Sequence, residues 1–207
     1  MTDARRRFVI APVRLAGRHI ELVPMDVSHT DELYEAGRDP EVWTYMRIRV
    51  AGRDDMVRLI SEALLAQEEG REIPFVVRRS GGGRIVGSTR LLDLRPEDRG
   101  AEIGWTWFSP AVWRTPVNTE SKYLLLRHCF ETLNLIRVQL KTDARNVRAQ
   151  RAIERLGAVR EGVLRHHYVM PDGYLRDSVY YSILAEEWPV VRERLEGLLL
   201  GRPRAEA

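Results

Sequence analysis

The residue types able to do chemistry fall in a few short stretches of the 207-residue chain. Ala101 to Ser109 reads as a strand, and its alternation sets the carboxylate of Glu102 on the face opposite Ile103, Trp105 and Trp107. There it could collect a proton or pair with an arginine on the sheet. Thr115-Pro116 has the signature of a helix start, a hydroxyl followed by proline at the first helical position. The N–H groups of Val117, Asn118 and Thr119 then lack intrahelical partners at the positive end of the dipole, where an anion can sit. Arg114 precedes them and could add a charge-assisted hydrogen bond, or be a solvated loop residue. His166 and His167 are neighbours on a strand and point to opposite faces, so they cannot converge on one ion. With no third ligand at a familiar spacing, no metal site is expected. Cys129 sits in an apolar run and reads as buried packing rather than a nucleophile.

Composition bounds what these residues can serve. Lysine and arginine number 33 against 30 acidic residues, and a net +3 is too little to indicate a nucleic-acid partner. Lys122 and Lys141 are the only lysines. A single cysteine cannot close a disulfide within the chain and fits a reducing compartment. Arg5, Arg6 and Arg7 are followed by an apolar stretch, Phe8 to Pro12, shorter than a signal-peptide core. No run reaches the length of a membrane span, so neither a membrane partner nor a leader is expected and the cytoplasm is the expected location.

The elements that must position these residues follow from periodicity and punctuation. His19 to Val23 alternates as a first strand. Ser28 and Asp31 open a helix to Arg38, and Asp54 caps a longer one to about Gly70 with Met56, Leu59, Ile60, Ala63 and Leu64 as its buried stripe. Three strands follow, Pro74 to Arg79, Arg84 to Leu94 and Ala101 to Ser109, the first two joined by Gly81-Gly82-Gly83. The helix from Thr115 continues to Leu133 with an apolar face wide enough to pack on a sheet. Arg137 to Thr142 is a strand, Asn146 caps a helix to Leu156, and Gly157 stops it. Val159 to Met170 and Leu175 to Leu184 flank the turn Pro171-Asp172-Gly173-Tyr174, and an amphipathic helix spans Glu187 to Leu200. The expected organisation is an N-terminal arm over 1–14, one domain over 15–190, and a helix end and tail over 191–207.

That order resembles the GNAT superfamily of N-acetyltransferases over roughly residues 15 to 190. Glu102-Ile103-Gly104-Trp105 is similar to the family's fourth strand, and Asn146 through Ala158 to its asparagine helix ending in a basic residue, an apolar residue and glycine. Glu161-Gly162, Leu164-Arg165, Asp172-Gly173 and Arg176-Asp177 resemble the closing hairpin of the Rim-type branch, which acetylates N-termini of ribosomal proteins. The resemblance is specific because these motifs occur together, in order and at the right spacing. It implies an α+β fold, a mixed and mostly antiparallel sheet flanked by helices, and acetyl-CoA as co-substrate without a metal.

The resemblance also implies roles. Trp107, Phe108, Arg114, Val117, Asn118, Thr119, Asn146, Arg151 and Arg155 would meet acetyl-CoA. Glu102 would take the proton of the attacking amine, while Trp43, Tyr45 and His166 would line an acceptor pocket. Asn146 would be a favoured N-cap for local reasons alone, and Trp43 and Tyr45 could be plain core. The chain departs from the family in two places. Arg114 and Pro116 stand where relatives have a glycine-rich phosphate turn, and Ile153 and Ala149 stand where relatives place the tyrosine or serine that protonates the leaving thiolate. Three readings stay open: an acetyltransferase acting on an amine, with a peptide N-terminus the easier acceptor because an α-amine has a pKa of about 8 against about 10.4 for lysine; a small-molecule amine acetyltransferase; and a GNAT-fold module that binds an acyl-CoA or a protein without catalysis. A homodimer is compatible with each.

Overall fold

A computed structural model describes residues 11–201, so the arginines at 5–7 and the tail beyond 201 lie outside the described residues. The strands are β1 (Leu15–Ala16), β2 (Ile20–Pro24), β3 (Ile73–Arg79), β4 (Ile85–Arg95), β5 (Gly100–Phe108), β6 (Arg137–Asp143), β7 (Val159–Val169) and β8 (Leu175–Leu184). The helices are α1 (Thr30–Ala36), α2 (Arg53–Glu68), α3 (Val117–Arg127), α4 (Val147–Leu156) and α5 (Trp188–Leu199). The strands make one sheet in the order β1-β2-β3-β4-β5-β6-β8-β7, antiparallel at every junction except β5/β6.

Most expected elements are present with boundaries shifted by a residue or two, and the differences have local causes. Asp54 does not cap α2: the Asp55 carboxylate accepts from the N–H groups of Ala51 and Gly52 and closes that end instead. The helix expected from Thr115 to Leu133 ends as α at Arg127 and continues as one π-helical turn, His128–Thr132. α3 itself begins at Val117, with the Thr115 hydroxyl accepting from the Val117 N–H at 3.4 Å. The two-residue β1, paired to β2, was not legible as a strand because two residues carry no period.

Each face of the sheet has its own apolar cluster. On one face Ile20, Phe75, Leu91, Ile103, Val138, Leu140 and Tyr181 pack with Leu124, Leu125, Ile153 and Leu195 from α3, α4 and α5. On the other, Val76, Ile85 and Trp107 pack with Leu33, Trp43, Met56, Ile60 and Ala63, beneath α1 and α2. No residue of β6, β7 or β8 joins that second cluster, so the second face is left uncovered by α1 and α2 over this half of the sheet.

Candidate active site

The single parallel junction is short. β5 pairs with β6 only at Gly100↔Arg137, Ala101↔Val138 and Glu102↔Gln139, after which β6 keeps pairing with β8 and the two strands diverge. Divergence begins where β5 is bulged: Gly104 to Trp107 spans the same length as Arg90 to Ser88 on β4, and Trp105 has φ 48°. A tryptophan in the left-handed region is a strained residue at a place the fold does not let relax. The extra residue reverses the side-chain parity. Trp105 and Trp107 therefore lie on the second face with Glu102, not with Ile103 as strict alternation predicts.

Both diverging strands are followed by helices, so the N-termini of α3 and α4 open at the same mouth. This crevice beyond the carboxyl ends of parallel strands is where α/β sheets bind ligands. Arg148 of α4 stacks on Trp113, 3.9 Å from the ring centroid, and lies 3.6 Å from Glu41. Trp113 in turn donates to the Phe108 carbonyl at 2.9 Å, tying the turn before α3 to the end of β5. Arg114 is exposed with φ 61°, holding in an arginine the left-handed backbone that glycine adopts freely. Asn118 and Thr119 lie in the first turn of α3, where N–H groups have no intrahelical acceptor. Asn146 accepts from the Ala149 N–H at 3.0 Å and so is an N-cap, as local chemistry predicts. Arg151 and Arg155 are exposed on α4, with no carboxylate partner among the described residues. These donors and cations fit a diphosphate-bearing coenzyme. Trp107 and Phe108 meet the mouth differently, because the Trp107 ring is buried 5.0 Å from Trp43 and leaves only its backbone near the opening.

Glu102 stands at the vertex, on the second face and 2 % exposed. Its Oε2 accepts from Gln139 Nε2 and from Lys141 Nζ, each at 2.7 Å, so its partner is the lysine of β6 rather than an arginine. Burial alone would push the Lys141 ammonium down, but the Glu102 carboxylate outweighs it and holds Lys141 above the usual lysine range. Register places Lys141 beside Tyr180, and Arg176 beside Tyr168, on this same uncovered face. Together they floor a groove. The stretch after Trp43 forms its side: the Tyr45 carbonyl accepts from Arg176 Nη1 at 3.4 Å, and the Arg47 guanidinium lies 4.1 Å from the Tyr168 ring centroid.

The acceptor residues expected from sequence divide. Tyr45 borders the groove, 5.9 Å from Arg145. Trp43 does not, being buried in the second cluster with its indole N–H donated to the Gly37 carbonyl at 2.7 Å. His166 is exposed at φ 49°, in a bulge where Leu164 to Tyr168 faces Ser178 to Arg176, and its N–H donates to Asp177. The bulge turns His167 inward instead, stacked 3.9 Å from Tyr168 and 3.4 Å from the Tyr180 hydroxyl. Burial, then the nearby Lys141 and Arg176, push the His167 imidazolium below the ordinary histidine range. A depression of about 870 Å³ bounded by Val163, Leu164, Arg165, His166, His167 and Asp177 lies at the same bulge. Sequence reasoning settled on His166 rather than His167 and assigned no site role to Tyr168, Tyr180 or Arg176. The alternation of β8 could have grouped Arg176, Ser178 and Tyr180, but nothing in the sequence marks the β7 bulge.

Cys129 is fully buried, and burial pushes its thiol far up, so it is packing. No cluster of three metal-ligating side chains occurs among the described residues, and no described helix is long and apolar enough to cross a membrane. Ile153 is buried in the first cluster, and Ala149 has no side-chain donor.

Residues 19–159 match the family model described as "Acetyltransferase (GNAT) domain". The chain is 27% identical over 173 residues to "Uncharacterized N-acetyltransferase p20" of Bacillus licheniformis, covering 82% of this chain and 94% of that protein. It is 32% identical over 106 residues to "Putative ribosomal N-acetyltransferase YdaF" of Bacillus subtilis (strain 168), covering 51% of this chain and 57% of that protein. A solved structure described as a "putative acetyltransferase" from T. thermophilus is 41% identical, covers 91% of this chain and 98% of its own, and superposes with a TM-score of 0.80.

Proposed function

Because the chain belongs to the GNAT family of acetyltransferases, we propose that it moves an acetyl group from acetyl-CoA to an amine by direct attack across the β5–β6 opening. The observation that carries this reading is the vertex itself: a buried carboxylate where two parallel strands part, with two helix N-termini at the mouth and the polar side chains of Lys141, Arg176 and Tyr180 on the face away from α3. Asn118, Thr119 and Arg114 would hold the diphosphate, with Arg151 and Arg155 on α4 adding positive charge. The β5 edge beyond Glu102, without a β6 partner, would offer backbone hydrogen bonds to the pantetheine arm. Acetyl-CoA supplies the thioester whose acyl carbon the amine attacks.

The amine would approach along the groove. It must be neutral to attack, and it sheds a proton as the new amide forms. Glu102 would accept that proton, directly or through one water, at Oε1, which makes no hydrogen bond among the described residues. His167, whose charged form burial and its cationic neighbours disfavour, would pass the proton outward. No side chain of α4 delivers a proton to the leaving sulfur, and a thiol with an ordinary pKa of about 8.5 can take its proton from water.

A peptide N-terminal α-amine is the acceptor class we favour, supported by its lower pKa and by the likeness to the ribosomal N-acetyltransferase-named relative. The lone buried cysteine fits a reducing compartment such as the cytoplasm. Titration calorimetry with acetyl-CoA and CoA, followed by thiol release with peptides and small amines, tests the proposal. Heat and thiol release are expected; binding without thiol release from any amine would favour a module that binds without catalysis.

A further inference from the structure

The groove beside Glu102 holds more positive charge than its own carboxylates neutralise. Lys141 is matched by Glu102 at 2.7 Å and Arg145 by Asp143 at 2.8 Å. Arg47 and Arg176 have no carboxylate within ion-pair distance among the described residues. For Arg176 this is costly, because it is only 8 % exposed, and a buried guanidinium whose main counter-charge is shared with another arginine recovers little of the solvation it loses. The carboxylate that most favours its charge, Asp143, is taken up by both the guanidinium and the backbone N–H of Arg145. Among the described residues the Arg176 side chain makes one hydrogen bond, the long one to the Tyr45 carbonyl, and its Nε has no partner. Ser178, fully buried and two residues along the same face of β8, also has an unpartnered Oγ, and so does Nδ1 of the inward-turned His167.

These groups converge on one ring. Tyr168 has Arg47 at 4.1 Å, Arg176 at 5.6 Å and Lys141 at 5.8 Å from its centroid, and Lys141 is bonded to Glu102. A ligand at the edge of Tyr168 would therefore meet guanidinium donors at one end and, at the other, Lys141 with Glu102 bonded to it.

We propose that Arg176 and Arg47, with the Ser178 hydroxyl, bind an oxyanion carried by the amine acceptor itself, a carboxylate or phosphate a few atoms from the amine. This rests on amine acetylation as the reaction and adds which amines are taken. Guanidinium pairs carboxylate and phosphate through two N–H groups, whereas the far cation of a polyamine would meet the like charge of Arg47 and Arg176. The anion also fixes the amine's position, so its contribution falls on KM as well as on turnover.

The test is kcat/KM by thiol release with acetyl-CoA for matched acceptors. β-Alanine and O-phosphoethanolamine are compared with propylamine, and a dipeptide amide with Glu at its second residue is compared with the same peptide carrying Gln. We expect the acidic member of at least one pair to be favoured about tenfold or more, the scale of one charge-assisted hydrogen bond. The small-molecule and peptide arms separate the two sources of the anion. Arg47→Ala, on the groove's side, is expected to lower the acidic-to-neutral ratio; Arg176→Gln is expected to abolish it, and Arg176→Lys to restore part of it, with melting curves confirming that each variant folds. Should Arg176→Gln fail to fold, Arg47→Ala and competitive inhibition by butyrate carry the test. Turnover without acidic preference in either arm, or a preference untouched by Arg47→Ala, overturns this inference and leaves the acetylation reading standing. Failure to release thiol with every acceptor overturns both.

Discussion

Lys122 and Lys141 are the only lysines in the chain; burial disfavours the charge of both, and their partners decide the outcome. Lys141 has the Glu102 carboxylate and stays charged. Lys122, 5 % exposed on α3, has only the Thr106 hydroxyl, and burial pushes its ammonium down to about 7. Between pH 7 and the unfolded lysine value of about 10.4, the unfolded chain binds a proton that the folded one does not, so stability should rise with pH across that window. Lys122→Met should remove that slope and should stabilise more at pH 6.5 than at pH 9.5, as read from urea midpoints. A slope unchanged in the variant would mean that Lys122 is not the group responsible. Lys141→Met is expected to do the reverse, destabilising by about 3–5 kcal/mol because it strands a buried carboxylate. That Glu102 lies on the strand beside the opening was legible from its place in Glu102-Ile103-Gly104-Trp105. Its partner was not, because Lys141 is far along the chain and only the parallel β5/β6 register brings them together. That His166 is exposed while His167 turns toward Tyr168 and Tyr180 was not legible for a related reason: a bulge inserts residues without any mark in the side-chain pattern.

Helices and strands with strong punctuation were readable, among them α4 between Asn146 and Gly157, where a side-chain cap and a glycine at φ 106° define both ends. Irregularities within elements were not. The β5 bulge at Trp105 changes which face two tryptophans occupy, and Gly87 shows how tightly β4 follows it: a Cβ there would fall 2.2 Å from the Trp107 carbonyl oxygen. Gly87→Ala should therefore cost about 1–3 kcal/mol or more, since backbone rather than a flexible side chain must yield. A melting temperature within a degree of the parent would show that the strands can separate freely. The turn before α3 gives a cleaner probe of the coenzyme site than alanine could, because Arg114 sits at φ 61°. Arg114→Gly keeps that backbone and relieves a left-handed penalty of about 1–2 kcal/mol, offset in part by the unfolded-state entropy of glycine. Stability should thus change little, while acetyl-CoA affinity falls about ten- to hundredfold and becomes less salt-sensitive. Unchanged affinity at low and moderate salt would make Arg114 a solvated loop residue.

One sheet with an apolar cluster on each face ties residues far apart in sequence into the same body. The carboxylate of Glu120 on α3 accepts from the N–H groups of Arg18, His19 and Ile20 at the start of β2. A single cooperative unfolding transition is therefore expected, and two separated transitions each assignable to part of the chain would argue for independent units. Over the uncovered half of the second face Glu102 lies on the side of the sheet opposite α3, where the proposed function has the acceptor approach it. Comparing wild type with Glu102→Gln at pH 6.5 and pH 9, by thiol release and by the mass of the acetylated amine, tests that assignment most directly. The account predicts an approximately hundredfold lower rate at pH 6.5, a smaller loss at pH 9 where solvent has already deprotonated the amine, and an unchanged acetyl-CoA dissociation constant. An equal loss at both pH values together with weakened folding would contradict it, leaving Glu102 a structural partner of Lys141.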